Sequence, residues 1–331
     1  MKLRKPHYYD QFRCIAAACP DSCCKEWEVR VDDASAARYL ALEGSLGDRL
    51  RSVLRREDGE YLMTIQDGRC PMWRTDGLCR IQAELGEAAL CHTCREFPRL
   101  LHDYGDFLER TLELSCPEAA RLILTSSADP MTEEELPDTG EGDYDGEAME
   151  VLLTTRKRML EILRDESRPV GQVLALGLLY GCQAQGELDS GEMEEFDPAQ
   201  ALETAAALAK PGDDQGMLAF FSGLEILTPQ WKQRLAAPEK AQWQREHLAL
   251  ARYFVERYWL QAVADYDLYS RVKLAVISCL LVRLLGGDIL ETAQLYSKEI
   301  ENNTENVEAI LDGAYGCPSF TDDRLLGMLL E

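Results

Sequence analysis

The sequence predicts a mainly α protein in which an irregular, cysteine-rich α+β metal-binding domain precedes an all-α helical domain. Three observations predict this class. Nine of the twelve cysteines fall in the first 116 residues, the stretch 125–146 is rich in Pro, Gly and acidic residues, and apolar residues beyond it recur at helical spacing. We therefore expect a cysteine-rich domain at 1–124, an acidic flexible linker or loop at 125–146, and a helical, acidic domain at 147–331.

Short elements follow one another in the cysteine-rich domain. Alternating apolar residues predict strands, apolar residues at helical intervals predict helices, and Asp32 or Asp33 is positioned to cap the first helix. The expected elements are a strand at 26–31, a helix at 34–42, a helix at 46–56, a strand at 61–65, and a strand or helix start at 107–114. Metal ligation would supply part of the folding energy of so irregular a region.

Helical patterns fill the rest of the chain. Pro238 fits the first turn of a long helix, and Gly286-Gly287 stops the helix that follows it. An acidic loop is expected at 186–197. The predicted helices are 147–165, 170–183, 198–209, 238–264, 267–285, 289–302 and 305–311.

Charge and hydropathy restrict the compartment and the partners. The start of the chain has no apolar signal-peptide core, and no run approaches the ~18 apolar residues of a membrane span, so we expect a cytoplasmic protein. Residues 1–120 carry 17 Lys+Arg against 21 Asp+Glu, and the remainder carries 18 against 38, which gives net charges of −4 and −20. The strong negative charge of the helical part disfavours binding to nucleic acids and anionic membranes, and it favours binding to basic partners.

The cysteines are the main candidates for chemistry. In a reducing compartment thiols stay free, which favours zinc or iron–sulfur ligation over disulfides. Cys91-x2-Cys94 is typical of a metal hairpin, and one helical turn would place Cys19 and Cys23 on one face. The spacing matches neither paired zinc CxxC motifs nor the bacterial ferredoxin run, so it leaves the metal open. Outside this cluster, Cys182, Cys279 and Cys317 are expected to behave as small apolar side chains.

Other motifs carry little chemistry. His92 lies between two cysteines, where a supporting role is favoured over direct ligation. The chain has no GxxxxGK[ST] motif and no GxGxxG motif after a strand. The sequence alone therefore assigns no catalytic residue and no cofactor-binding residue other than the cysteines.

Two cysteine blocks carry a recognisable pattern. The first block is Tyr9-x2-Phe12-x-Cys14-Ile15-x3-Cys19-x-Asp21-x-Cys23-Cys24-x2-Trp27. The second comprises Cys70-Pro71, Gly77-Leu78-Cys79-x-Ile81-Gln82-x2-Leu85-Gly86 and Thr93-Cys94-Arg95-x-Phe97-Pro98-Arg99. Both blocks resemble the family of the flagellin lysine-N-methylases (FliB), within the wider CxxCxxCC cysteine-cluster group that chelates zinc or iron, and the run 269–276 in the helical part is also similar to that family.

This resemblance implies an activity, cofactors and a ligand set. Family members methylate the ε-amino groups of flagellin lysines, and a [4Fe–4S] cluster and S-adenosylmethionine are implied for them, with zinc as the alternative metal. Cys91 is held outside the implied set, and eight thiols exceed the four that one cluster needs. The implied metal ligands are Cys14, Cys19, Cys23, Cys24, Cys70, Cys79, Cys94 and Cys116.

Three functions remain open at this level. The first is a cytoplasmic S-adenosylmethionine-dependent lysine N-methyltransferase whose acidic helical domain helps to dock flagellin. The second is a non-catalytic iron–sulfur or zinc accessory protein, or a redox sensor, and the third is a structural zinc domain used only for interaction. The sequence does not fix the oligomeric state.

Overall fold

The protein is described by a computed structural model that covers residues 1–23, 29–137 and 140–331. It is mainly α-helical. Short strands lie near the N-terminus, and long helices make up the remainder. Within the described ranges the strands are β1 (Lys2–Lys5), β2 (Val29–Val31), β3 (Leu54–Glu57), β4 (Glu60–Met63), β5 (Arg99–Asp103), β6 (Phe107–Leu112) and β7 (Thr132–Glu135).

The helices confirm the predicted fold class. Those before the predicted linker are α1 (Asp33–Ala41), α2 (Gly44–Val53), α3 (Arg80–Leu85), α4 (His92–Glu96) and α5 (Pro117–Thr125). Those after it are α6 (Gly146–Ile162), α7 (Val170–Ser190), α8 (Pro198–Leu208), α9 (Asp214–Ser222), α10 (Pro229–Ala236), α11 (Arg245–Tyr258), α12 (Leu268–Leu285), α13 (Ile289–Ile300), α14 (Thr304–Gly316) and α15 (Asp322–Leu330). No helix in the described ranges combines the length and the apolar character needed to cross a bilayer.

The strands form two small sheets. One has the order β5-β6-β1-β7, in which β1 runs parallel to β6 and antiparallel to β7. The other is an antiparallel sheet of order β2-β4-β3. Strand β7 lies inside the segment 125–146 that we predicted to be a linker or loop, and its four residues pair with β1.

Two apolar cores are separate from one another. The smaller core packs α1 and α2 against the second sheet and includes Cys70 and Cys91. The larger core joins the start of the chain, strand β6 and helix α5 to the helices beyond residue 146. Helix α12 runs through it, and all eighteen of its residues are buried. The predicted domain boundary at 125–146 stays a prediction, although residues 107–124 pack with the helical part.

Several predicted elements have different ends. Asp32 caps α1 as expected, because its carboxylate accepts a hydrogen bond from Ser35 N at 2.9 Å. The predicted strand at 26–31 is described only from Val29 onward. The prediction that a helix ends at residue 183 is wrong, since α7 continues to Ser190 and stops at Gly191, whose φ of 73° suits glycine. Leu188 is buried in that added turn.

The prediction that Pro238 begins a long helix is also wrong. Residues 239 and 241 donate backbone hydrogen bonds to Leu285 O and Arg283 O at the end of α12. These bonds hold the segment against another helix, so α11 begins only at Arg245. Its start is fixed by a hydrogen bond from Gln244 N to His247 Nδ1 at 3.1 Å.

Candidate metal and thiol site

Four cysteines from two distant parts of the chain form what we call the first thiol group: Cys14, Cys19, Cys23 and Cys116. The first three follow Phe12, whose ring is buried in the larger core. A short 3₁₀ turn, Ala16–Ala18, ends at Cys19, whose N–H bonds Ala16 O at 3.0 Å. Cys116 precedes the first turn of α5, which begins with a proline. The tertiary fold therefore brings the end of one block to the start of a helix.

Burial and neighbouring thiols raise the pKa values of this group. Burial is the main reason that the pKa of Cys19 is raised, and the Cys14 and Cys23 thiolates add to it. Burial likewise raises the pKa of Cys116 to about 12, opposed by the backbone N–H groups of Glu118 and Ala119 and reinforced by Cys19 and Cys23. Both thiols are therefore protonated at neutral pH, and a metal that binds them has to displace those protons.

Helix α13 anchors the loop that carries these cysteines. Gln294 Nε2 lies 3.2 Å from Asp21 Oδ2 and 2.7 Å from Ser115 O. Lys298 Nζ also lies 3.2 Å from Asp21 Oδ2. Asp21 lies between Cys19 and Cys23 in the chain, and Ser115 precedes Cys116. The same helix therefore fixes both halves of the first thiol group.

Three more cysteines form the second thiol group: Cys79, Cys91 and Cys94. A hydrogen bond between the Cys91 and Cys94 thiols is the main reason that the pKa of Cys94 is raised and that of Cys91 is lowered. Burial and the Cys79 thiolate raise the pKa of Cys94 further. Cys91 is therefore the first of this pair to ionise.

Helix α4 is held on strand β2 so that these thiols face inward. Thr93 Oγ1 donates to Arg30 O at 2.8 Å, and the Cys91 thiol lies 3.9 Å from the same oxygen. The N–H of His92 donates to Asp32 Oδ2 at 2.8 Å and is the main reason that the pKa of Asp32 falls to about 2. His92 thus contributes its backbone to the site, and the supporting role that we favoured for its side chain stays a prediction.

Cys23 connects the two thiol groups electrostatically. Its negative charge contributes to the raised pKa values of Cys116 in the first group and Cys94 in the second. Cys70 lies elsewhere in the smaller core, where its sulfur is 3.4 Å from Met63 Sδ. Cys23 thus interacts electrostatically with both thiol groups, whereas Cys70 faces a thioether.

The predicted ligands supply suitable donors for a thiolate-bound metal, because thiolates are the donors that zinc and iron–sulfur clusters take. Within residues 1–23, 29–137 and 140–331, however, no three His, Cys, Asp or Glu side chains lie close enough together to hold a metal ion. Cys24, which is part of the predicted set, lies outside the described residues. The ligand set therefore stays a prediction with suitable donor chemistry.

Four cysteines lie outside that predicted set, and the structure differs from our expectation for one of them. Cys91, which we held outside the ligand set, is buried and its thiol is hydrogen-bonded to the Cys94 thiol, in agreement with the CxxC spacing of the two residues. Cys279 is fully buried, with its sulfur 3.4 Å from His247 O, and Cys317 is half-buried against the larger core. Cys182 is exposed on α7, so the prediction that it packs as a small apolar side chain is wrong.

A buried polar network that the sequence analysis missed supports Cys116. Tyr253 Oη and Tyr258 Oη lie 3.0 and 2.9 Å from Glu301 Oε1, and Arg257 Nη1 lies 3.0 Å from the same oxygen. Tyr253 Oη also accepts a hydrogen bond from Leu114 N at 3.3 Å. The network therefore fixes the backbone two residues before Cys116. No sequence pattern links these residues, because α11 and residue 301 meet only in the tertiary fold.

A carboxyl of raised pKa lies beside this network. Burial raises the pKa of Glu113, and the Arg257 guanidinium and a hydrogen bond from Ser115 Oγ at 2.7 Å oppose that rise. Glu113 O also accepts a hydrogen bond from Cys116 N at 3.4 Å. The segment before α5 thus places a buried carboxyl one short turn from a thiol.

Known proteins similar to this chain share part of its length. The flagellar biosynthetic protein FliU of Salmonella muenchen is 35% identical over 129 residues, which cover 37% of this chain and 76% of that protein. Two proteins named Lysine-N-methylase, from Salmonella typhimurium and Salmonella choleraesuis, are each 35% identical over 132 residues. Those matches cover 37% of this chain and 32% of each lysine-N-methylase. Neither a family model nor a solved structure matches the chain.

Proposed function

This chain belongs to the FliB family, which includes FliU and the lysine-N-methylases, and we propose that it is a protein lysine N-methyltransferase. The substrate that we propose is flagellin before export, which places the reaction in the cytoplasm. The observation that carries the proposal is the 35% identity to two proteins named Lysine-N-methylase. The matched region covers 32% of those proteins, so a direct assay has to show whether this chain has the same activity.

The proposed methyl donor is S-adenosylmethionine. In the transfer, the bond between the sulfonium sulfur and its methyl carbon breaks, and a bond from that carbon to the lysine ε-nitrogen forms. The bonding electrons stay with sulfur, which leaves a neutral thioether, S-adenosylhomocysteine. The attacking amine has to be neutral, so the lysine ammonium first gives up a proton. A buried carboxyl such as Glu113, whose pKa is raised by burial, has the chemistry to accept that proton.

We propose that the thiol groups hold a [4Fe–4S] cluster, with zinc as the alternative metal. The first thiol group contains four cysteines, which is the number that one cluster takes, and binding a cluster would require their sulfurs to lie closer together than they do in this structure. The remaining thiols of the predicted set are Cys79 and Cys94 of the second thiol group, together with Cys24 and Cys70. When bound, the cluster would crosslink chain segments that are far apart in sequence and would supply redox chemistry. The contacts of Gln294 and Lys298 with Asp21 support this assignment, since they hold the donor loop in place.

A second candidate function is redox sensing without methyl transfer. The observation that favours it is the exposure of Cys14 and Cys23, because accessible thiols are the ones that oxidants reach. A sensor of this kind would change its metal content or its partner on oxidation, and it would leave the mass of every other protein unchanged.

The deciding experiment is a methyl-transfer assay under anaerobic conditions. Purified protein is incubated with flagellin and S-adenosylmethionine that carries a labelled methyl group, and the flagellin is digested and sequenced by mass spectrometry. We expect the label on lysine side chains only, with no label when S-adenosylmethionine is omitted. Unlabelled flagellin from reactions with metal-replete protein would exclude the methyltransferase and leave the redox sensor.

A further inference from the structure

A cleft lies far in sequence from the thiols, between α6, α7 and the segment that leads into α8. Its volume is about 440 Å³, within the range of small-ligand sites. The floor is aromatic and the rim is charged. The residues that the argument uses are Arg158, Glu161, Asp165, Tyr180, Glu194 and Phe196, with Arg168 and Glu195 at the rim.

The cleft has an excess of negative charge. Arg168 is paired with Asp165 in the segment between α6 and α7. Arg158 lies 3.6 Å from the buried carboxylate of Glu187. Both cations of the cleft thus already face carboxylates.

Three carboxylates of the lining have no such partner. Within the part of the chain that the structure describes, Glu161, Glu194 and Glu195 make no ion pair. A cationic ligand would therefore find complementary charge here.

The floor adds a phenol and an aromatic surface. Tyr180 is fully buried and lines the cleft, and its hydroxyl interacts with Arg158 but makes no hydrogen bond of ordinary length and angle among the described residues. Its ring packs edge to face against Phe196, with centroids 5.1 Å apart. A ligand that opens this floor and donates to the hydroxyl would form the well-aligned hydrogen bond that Arg158 does not supply. Phe196 is only half-buried and presents a surface to an alkyl chain or a cation.

We propose that this cleft binds a lysine side chain of the protein substrate. Its ammonium is neutralised by Glu161, Glu194 and Glu195, and its four methylenes lie against Phe196. This assignment rests on the proposed function, because it takes the ligand to be the lysine-bearing protein that the enzyme modifies. The cleft is a docking site, so the lysine bound there need not be the lysine that is methylated.

The test is a binding measurement with full-length protein. Fluorescence anisotropy compares a short lysine-bearing flagellin peptide with the same peptide carrying glutamine at the lysine. We expect the triple variant Glu161→Gln, Glu194→Gln, Glu195→Gln to bind the lysine peptide about tenfold more weakly, and wild-type binding to weaken with salt. Tyr180→Phe, which keeps the ring, should lose about threefold.

A matched control carries the same loss of charge elsewhere: Glu203→Gln, Glu305→Gln, Glu308→Gln on exposed positions of α8 and α14. It should bind the peptide as the wild type does. Equal binding of the lysine and glutamine peptides, or an unchanged triple variant, would overturn the proposal. So would a triple variant that loses S-adenosylmethionine and keeps the peptide, since the cleft would then hold the donor.

The methyltransferase proposal and the docking-site proposal can be refuted independently of each other. If flagellin lysines are methylated and the triple variant binds the peptide normally, the cleft assignment is wrong and the methyltransferase stands. If the peptide requires the three glutamates and no lysine is methylated, the docking site stands and the methyltransferase is wrong.

Discussion

Lys298 Nζ lies 3.2 Å from Asp21 Oδ2 and joins helix α13 to the loop of the first cysteine block. Both side chains are mostly buried, with exposed fractions of 13% and 24%. Gln294 reaches the same carboxylate oxygen and the carbonyl of Ser115. The helical part of the chain therefore holds the thiol-bearing loop through one carboxylate, which makes that contact the first place to perturb.

Lys298→Met should loosen the first thiol group without unfolding the protein. The substitution keeps the aliphatic stem and removes the charge, so we expect a loss of about 1 kcal/mol in the free energy of unfolding. Amide hydrogen exchange of residues 14–23 should speed up, because those amides open locally when the anchor is lost. Lys232→Met, at an exposed position of α10, is the control. Unchanged exchange in 14–23 would show that the anchor has no role.

Substitution of the clustered cysteines should remove the metal. Cys19→Ser and Cys116→Ser each delete a donor of the first thiol group, and Cys94→Ser deletes one of the second. We expect all three to lose iron and acid-labile sulfide, or zinc if that is the metal, when the anaerobically purified proteins are analysed. Cys182→Ser, on the exposed face of α7, should keep the full metal content. Equal metal content in all four variants would contradict the ligand set.

The ion pair between Glu109 and Arg156 should dominate the stability of the larger core. Two hydrogen bonds of 2.8 and 2.6 Å join the guanidinium on α6 to the carboxylate on β6, and both side chains are buried. Glu109→Gln removes the carboxylate that makes both hydrogen bonds to Arg156 and leaves Glu256 as its nearby carboxyl, so we expect a loss of about 3 kcal/mol in chemical denaturation. Glu133→Gln, which breaks an exposed pair with Arg4, should cost less than about 1 kcal/mol. Similar losses in the two variants would refute this account.

Stability should depend on pH through Glu256, whose pKa burial raises from its ordinary 4.5 to about 7, while Arg156 and Arg252 oppose the rise. Below pH 4.5 the carboxyl is protonated in both the folded and the unfolded chain. Between pH 4.5 and 7 the unfolded chain ionises first, so this contribution to stability is lost as the pH rises through 7.

The Glu256→Gln variant should lack this pH dependence of stability, because glutamine does not ionise. Relative to the wild type, its free energy of unfolding should therefore rise by about 3 kcal/mol between pH 4.5 and pH 8. The measurement is urea denaturation at both pH values, with Glu308→Gln as the exposed control. A constant difference between wild type and variant across this range would show that the carboxyl titrates normally.

The sequence predicted what composition and local patterns determine. Because cysteine is scarce in reducing compartments, its density predicted that the two cysteine blocks form a thiol site. Helical patterns predicted α6, α8 and α12. Contacts between distant segments were not predictable, because they depend on the tertiary fold. Cys116 and Cys19 interact electrostatically because α5 packs on α13, and residues 239 and 241 lie outside α11 because their N–H groups bond to the end of α12.

The acidic cleft shows the same limit. Glu194 and Glu195 lie in the predicted acidic loop at 186–197, whereas Glu161 lies in the predicted helix at 147–165. Their significance comes from Tyr180, which lies in the helix before that loop and lines the same cleft. Neither residue type nor spacing in the sequence indicates that these three carboxylates and a buried hydroxyl line one cleft.

The most direct test of the account is the mass of flagellin after reaction with S-adenosylmethionine and metal-replete protein. We predict that lysine residues gain the mass of one CH₂ for each methyl group transferred when the wild type or Cys182→Ser is present. No gain is expected with Cys116→Ser. Unmodified lysines with the wild type would contradict the methyltransferase, and full modification by Cys116→Ser would contradict the role of the thiols.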